Sequence, residues 1–307
     1  MYLGTSGFVE AEAPFFFAER ATPRWEVASE YGRLTDVMVS APAHLELVPC
    51  NAVARDAIGN GLDCCTAAAS VQHRALVHAL EASGARCHLV PPVRGLPDLS
   101  FTRDATLMTP WGLLGLRPAV EHRSAEVDHI LAIARQWGVP VLGRIESGRV
   151  EGGDVCILRE GIIVIGNSGD RTDDAGAAAL GRIFKARGWR VIRTRFDPEF
   201  LHLDTQFCMV GAEHAVACLE TLDRSFVEEI AMLGIEIVPA ERDEVCSLGA
   251  NVVSLGDRRV LASADNRRLN TVLAGLGYQV TAIDIDQFTR CGGGIHCLTL
   301  PLRRDPV

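Results

Sequence analysis

Cys297 closes the run Gly292-Gly293-Gly294-Ile295-His296-Cys297, six residues after Cys291. A thiol so placed could be a small buried apolar group, half of a metal pair, or a nucleophile. Upstream, Asp104, Asp154 and Asp204 stand 50 residues apart, Asn251 follows 47 later, and Cys297 comes 46 after that. If this interval is a structural repeat closed into a ring, three carboxylates, an amide and a thiol face one cavity. Burying uncompensated carboxylates costs on the order of several kcal/mol each, so a cation should accompany them. A guanidinium, planar and rich in donors, suits such a setting better than an ammonium. Its carbon is a poor electrophile, and a thiolate is the side chain best able to attack it.

The elements that would carry these residues are marked by glycine. Five helical segments stop at Gly84, Gly138, Gly188, Gly234 and Gly277, and each passes into an apolar strand: ARCHLV, VPVLG, WRVIR, IEIVP and YQVTAI. Glycine just past a helix takes the left-handed conformation that closes it. The stops lie 54, 50, 46 and 43 residues apart, which reads as five related modules. Val127, Ile130, Leu131, Ala134 and Trp137 form one apolar stripe after Ser124, a predicted N-cap. Val71, Ala75, Leu76, Ala79 and Leu80 form another before Gly84. Ahead of four helices lies a pair of short strands: ATLMT with GLLGL, DVCIL with IIVIG, TQFCMVG with AVACL, and NVVSL with RVLAS. The first module lacks such a pair. LTDVMVS near the N-terminus and CLTLPL near the C-terminus are predicted to complete it, giving a ring with helices outside and strand starts converging on the centre.

Composition narrows the class of protein. The chain has 307 residues, 48% apolar and 22% charged, with a formal net charge of −9. That supports a sizeable core and argues against a duplex-binding surface. No apolar run reaches 18 residues, so no membrane span is predicted. MYLGTSGFVEAEAPFFFAER lacks the basic start and apolar core of an export signal. The ten cysteines are scattered with no C-x2-C pair, which reads as reduced thiols in a cytoplasm and argues against a structural zinc site.

Taken in order, PDLSFTRD, VEGGDV, FLHLDTQF and GGGIHCLTLPL resemble the signatures of the guanidino-group-modifying enzymes. That superfamily includes arginine deiminases, dimethylarginine dimethylaminohydrolases, agmatine deiminases and arginine:glycine amidinotransferases. The resemblance runs from about residue 30 to the C-terminus. It implies the α/β fold called the five-bladed α/β-propeller, or pentein, over 30–307, with 1–29 as an N-terminal extension. It further implies that Cys297 is the nucleophile, His202 the general acid/base, and Glu151 the acid bonded to the guanidino group. Asp104 and Asp204 would clasp the guanidinium nitrogens, and Asp154 would be a further site acid that orients its neighbours or the substrate amine. Arg171 in GNSGDRT would hold the substrate carboxylate, a task that Arg117 or Arg123 in LRPAVEHR could share. His296, adjacent to the nucleophile on a presumed strand, should point the other way and be structural. No metal or cofactor is implied, because thiol and imidazole suffice. The partner is a small guanidino substrate, with no nucleic acid and no membrane; a homo-oligomer is left open.

Departures within the family select the reaction. Dimethylarginine dimethylaminohydrolases generally lack the Asp of HLD, so Asp204 suggests unsubstituted guanidine nitrogens. Arginine dihydrolases tend to carry Asn where this chain has Asp104. Typical arginine deiminases and amidinotransferases are longer. The expectation is a cysteine hydrolase working through a covalent thiouronium, with arginine going to citrulline and ammonia. The alternatives are an amidinotransferase, a dimethylarginine hydrolase and, outside catalysis, a binding protein like the ribosome-binding member of the fold.

Overall fold

A computed structural model describes residues 25–307, so the N-terminal stretch read against an export signal lies outside the described residues. The strand–turn–strand–helix–strand unit is present four times in succession. After β1 (Arg33–Ser40) and β2 (Arg86–Val90) come β3 (Thr106–Thr109), β4 (Gly112–Gly115) and β5 (Val141–Arg144). The third module is β6 (Val155–Arg159), β7 (Ile162–Asn167) and β8 (Arg190–Arg195). The fourth is β9 (Phe207–Met209), β10 (His214–Ala217) and β11 (Glu236–Pro239), and the fifth β12 (Val253–Gly256), β13 (Arg259–Ser263) and β14 (Gln279–Ile283). In each of these sheets the first pair is antiparallel and the strand after the helix returns parallel to the middle strand.

β15 (Leu300–Asp305), the last strand, pairs antiparallel with β1, and β1 pairs parallel with β2. The two ends of the chain thus complete one sheet, as LTDVMVS and CLTLPL predicted. That sheet bridges its neighbours: β15 packs on β3 and β1 on β12. The molecule is the pentein class of α/β fold, five small sheets in five modules.

Eight helices are described. α1 (Ala52–Gly59) and α2 (Thr66–Ala82) precede β2, and α3 (Ser124–Gln136) and α4 (Asp174–Lys185) serve the second and third modules. α5 (Arg224–Met232), the short α6 (Arg242–Cys246), α7 (Arg267–Gly275) and α8 (Asp286–Thr289) follow. All five predicted stop glycines have φ between 74° and 94°, the region where a side chain would be strained. α3 buries Val127, Ile130, Leu131 and Ala134 as predicted. Two local readings are corrected. Ser124 does not cap α3, because a 3₁₀ turn over Glu121–Arg123 leads straight into the helix and Ser124 is already helical. Val71 is 58% exposed and Ala75 is exposed as well, and α2 instead buries Ala69, Gln72 and His73 beside Leu76, Ala79 and Leu80.

The apolar layer lies between sheets and helices, so the inner ends of the strands are left for polar groups. Residues 25–30, drawn partly into the predicted N-terminal extension, are in fact packed on the modules. Trp25 and Val27 are buried, and Glu30 donates its N–H to Ile157 O.

Candidate active site

The strands begin after short turns, and these turns carry the polar residues inward. Gly152–Asp154 is a single 3₁₀ turn immediately before β6, and Leu203–Thr205 is another, separated from β9 by Gln206. Cys297 lies on a turn three residues before β15, not at the start of a strand. The glycine run before it permits close approach. A Cβ at Gly293 would stand 2.1 Å from the Phe101 ring, and one at Gly294 would stand 2.4 Å from Asn251 Oδ1. Hence the turn presses directly on Asn251, whose Oδ1 accepts from the His296 N–H at 2.8 Å while its Nδ2 donates to Cys297 Sγ at 3.3 Å.

His202 arrives by a strained route. Leu201 has φ 54° and ψ −66°, and the His202 N–H reaches back to Phe200 O at 2.5 Å, making a tight γ-turn of the unfavourable hand. Gly153 leaves room for the ring, because a Cβ there would meet His202 Nδ1 at 2.6 Å. His202 Nε2 pairs with Glu151 Oε2 at 2.7 Å, and Nδ1 faces Asp104 Oδ1 at 3.7 Å. That Nδ1 makes no hydrogen bond among the described residues. Glu151 is also bound by Arg171 at 3.3 Å and by the Ala119 N–H at 2.8 Å.

A narrow cleft opens onto this group. Cys297, His202, Asp104, Arg123, Arg171 and Phe101 line it. Asp104 accepts from Gly153 N through Oδ1 at 3.1 Å and from Arg123 Nη1 through Oδ2 at 2.8 Å. Asp204 lies against Cys297, with Oδ2 and Oδ1 at 3.6 and 3.9 Å from Sγ.

Charge inside the site is set by pairing. Burial opposes protonation of His202, but the charges of Asp104, Asp154 and Glu151 and the Glu151 hydrogen bond outweigh it and hold the imidazole up at about 10. Burial would raise the Glu151 carboxyl, yet His202, Arg171 and Arg123 drive it well below its ordinary range. Asp204 likewise is lowered despite burial, by His296, His202 and Arg103. Cys297 goes the other way. Burial and the nearby charges of Asp204 and Asp104 push its thiol well above the ordinary value, only partly offset by hydrogen bonds from Gly294 and Asn251. These shifts favour an imidazolium at His202, carboxylates at Glu151 and Asp204, and a protonated thiol at Cys297.

Asp154 does not line the cleft; it is fully buried, its Oδ1 accepts the Leu203 N–H at 2.9 Å, and it props up the turn that delivers His202, so of its two expected tasks it is placed to orient neighbours and not to meet the substrate amine. Two sequence readings need correction. Arg117 is outside the site, paired through its backbone with Val150 and through its exposed guanidinium with Glu146 O; Arg123 is the arginine of that segment on the cleft. His296 does not point away. On a turn the alternation of a strand does not apply, and His296 Nδ1 bonds Asp204 Oδ2 at 2.8 Å. Behind it, Nε2 reaches Glu30 at 3.4 Å, and Glu30 pairs with Arg103 at 3.2 Å. This buried chain from Arg103 to Asp204 was not foreseen. Nothing in the sequence tied Glu30 to a site some 270 residues away.

A propeller of five αβ modules around a thiol, an imidazole and a ring of carboxylates is the architecture of a guanidino-modifying pentein enzyme. Residues 45–304 match the family model described as "N,N dimethylarginine dimethylhydrolase, eukaryotic", and the chain belongs to that family. It is 29% identical to the N(G),N(G)-dimethylarginine dimethylaminohydrolase of Streptomyces coelicolor over 82% of this chain and 90% of that one. It is 27% identical to the arginine deiminase of Mycobacterium marinum, over 70% of this chain and 62% of that longer protein. Among solved structures, a mutant of the Pseudomonas aeruginosa dimethylarginine dimethylaminohydrolase complexed with citrulline superposes with a TM-score of 0.72 at 27% identity, covering 87% of this chain and 99% of that one. The chain is accordingly a cysteine-dependent hydrolase of guanidino C–N bonds, with a small-molecule substrate.

Proposed function

We propose that this enzyme hydrolyses the unsubstituted guanidinium of free arginine to a ureido group, giving citrulline and ammonia. The observation that carries the reading is Asp204. Its ionised carboxylate stands 3.6 Å from the attacking sulfur, where it would meet a terminal nitrogen of the substrate. N–H groups at that position satisfy a buried carboxylate, whereas methyl groups would leave it unpaired. Asp104 would take the guanidinium from another side. Arg171 and Arg123, both on the cleft, would receive the α-carboxylate.

The reaction then follows from the charges. An arriving guanidinium neutralises Asp204 and Asp104, the two acids that hold the Cys297 proton on, so substrate binding itself favours the thiolate. As the guanidinium binds, the thiol releases its proton to solvent, and attack of the resulting thiolate on the central carbon forms a C–S bond. The tetrahedral adduct expels ammonia as the leaving nitrogen takes a proton from His202, and a thiouronium remains on Cys297. His202, now neutral and held by Glu151, removes a proton from water as it adds to the same carbon. Collapse breaks the C–S bond, returns the thiol and releases the ureido product.

A second reading, hydrolysis of dimethylarginine to citrulline and dimethylamine, is favoured by the family match and the Streptomyces coelicolor relative. The two separate cleanly when arginine and N,N-dimethylarginine are supplied singly and in competition and the released amine is measured. The first reading expects a higher kcat/KM for arginine, with ammonia as the amine. Preferential release of dimethylamine would replace it with the second.

A further inference from the structure

Next to the narrow catalytic cleft lies a second cavity, of about 210 Å³. The two share only Leu201 and Gly292. Val53 of α1, Phe200 and Leu201 of the turn before His202, and Val245, Cys246 and Leu248 at the end of α6 form its largely apolar wall. None of the residues placed above in the guanidinium clasp or the proton transfers belongs to it. Phe200, Val245 and Leu248 are buried, while Asp56, Glu199 and Cys246 are exposed at its mouth.

Two strained backbones meet in this wall. Leu201 has φ 54° and Leu248 has φ 61°. Such a conformation costs a residue with a side chain on the order of 1–3 kcal/mol. Leu248 follows the end of α6, where glycine is the usual choice. Leu201 belongs to the γ-turn that delivers His202. Thr205, also in the wall, ties that turn down: its Oγ1 is shared between Phe200 O at 2.8 Å and His202 O at 2.9 Å. Open volume beside a strained turn gives the turn somewhere to relax. Relaxation at Leu201 would draw His202 away from Glu151.

We propose that this cavity binds a small apolar ammonium compound, and that its occupant raises turnover by holding the His202 turn in place. Size sets the apolar part. A cavity of about 150 Å³ already takes benzene, so this one accommodates a single ring or a branched alkyl group. Charge sets the polar part. Glu199 is bound by Arg242 at 3.1 Å, and that guanidinium lies 5.2 Å from the centroid of the Phe200 ring. The Asp56 side chain has no hydrogen bond or ion pair among the described residues, so its carboxyl is left to meet an ammonium. An anionic ligand would face two acids at the mouth. The occupant binds the conformation in which Leu201 forms the wall, and so shifts the population toward it. The effect on turnover rests on the hydrolase reading; the binding does not.

Benzylamine tests both halves, with benzyl alcohol and benzoate as controls. Calorimetric titration should show benzylamine binding about tenfold tighter than benzyl alcohol, and benzoate not at all. Cys246→Trp, which fills the cavity from its exposed side, should abolish binding. Asp56→Asn should bring benzylamine down to the level of benzyl alcohol and leave basal turnover unchanged. Kinetics are measured with whichever of arginine and N,N-dimethylarginine is turned over faster. Saturating benzylamine should raise kcat about twofold or more with KM nearly constant. No benzylamine binding, binding that survives Cys246→Trp, or equal binding of benzoate overturns the site. Competitive inhibition that survives Cys246→Trp puts the amine in the catalytic cleft and overturns it too. Binding in the cavity with kcat unchanged or lowered overturns the coupling to His202 and leaves the hydrolase reading intact.

Discussion

Asp154 and Asp204 lie in the one-turn 3₁₀ helices that precede the first strands of successive sheets, Asp154 as the third residue of its turn and Asp204 as the second residue of its own. Both are buried. Their surroundings shift their protonation in opposite directions. Burial dominates at Asp154 and pushes its carboxyl up to about 7, against the pull of His202 and the hydrogen bonds from Thr172 and Leu203. At Asp204 the bond and charge of His296, with further help from His202 and Arg103, overcome burial and keep the carboxylate ionised. Position in the repeat brings a residue to the centre of the ring, and its neighbours decide whether it arrives as an anion facing the thiol or as a neutral prop behind the histidine.

The nucleophile should show the largest effect. Cys297→Ser is expected to lose at least about 10³-fold in kcat while remaining folded, because a hydroxyl is a far weaker nucleophile at neutral pH. Near-normal turnover would remove the covalent step. His202→Gln should cost about 10²–10⁴-fold, the range for a lost general acid/base. Single-turnover assays with ammonia detection would check it, and a loss of only a few-fold would move the proton transfers to another group.

The two aspartates should then diverge. Asp204→Asn is predicted to raise KM and lower kcat together, by about 10–100-fold in kcat/KM, since the clasp both binds and aligns the guanidinium. Asp154→Asn keeps an acceptor for Leu203 and should leave KM within a few-fold. Steady-state kinetics on both variants would erase the distinction if they behaved alike.

A smaller effect separates them by pH. The folded Asp154 pKa is raised from 3.8 to about 7, so between those values the native state binds more protons than the unfolded chain. Stability from this group is complete below about pH 4 and is lost as pH rises through 7. Asp154→Asn abolishes that loss, so its stability relative to the parent should improve from pH 5 to pH 8, on the order of 1–3 kcal/mol. Urea melts at the two pH values measure it, and no change with pH would mean that Asp154 is ionised throughout.

Much of this plan was legible in the sequence because periodicity and glycine stops report local geometry. Gly84, Gly138, Gly188, Gly234 and Gly277 each required a left-handed residue, and the apolar strands after them followed. The even spacing of Asp104, Asp154 and Asp204 correctly marked the inner ends of the modules. What it could not carry was direction within a turn. Asp154 and Asp204 lie 50 residues apart but stand at different positions of their turns and look to different places, and His296 was misjudged because Cys297 sits on a turn instead of a strand. Arg117 and Arg123 lie six residues apart in a segment with no period, so nothing local distinguishes the arginine on the cleft from the one outside it. The chain of Glu30, Arg103, His296 and Asp204 joins residues from both ends of the sequence, and only the closed fold brings them together.

The central claim, that Cys297 carries the amidino carbon during turnover, is open to one direct measurement. Enzyme turning over arginine is quenched in acid at successive times, digested and mapped by mass spectrometry. The account predicts an amidino adduct on the peptide that contains Cys297, rising and decaying with citrulline formation and absent from Cys297→Ser. Citrulline produced with that peptide unmodified at every time point, or with the adduct on another cysteine, would contradict it.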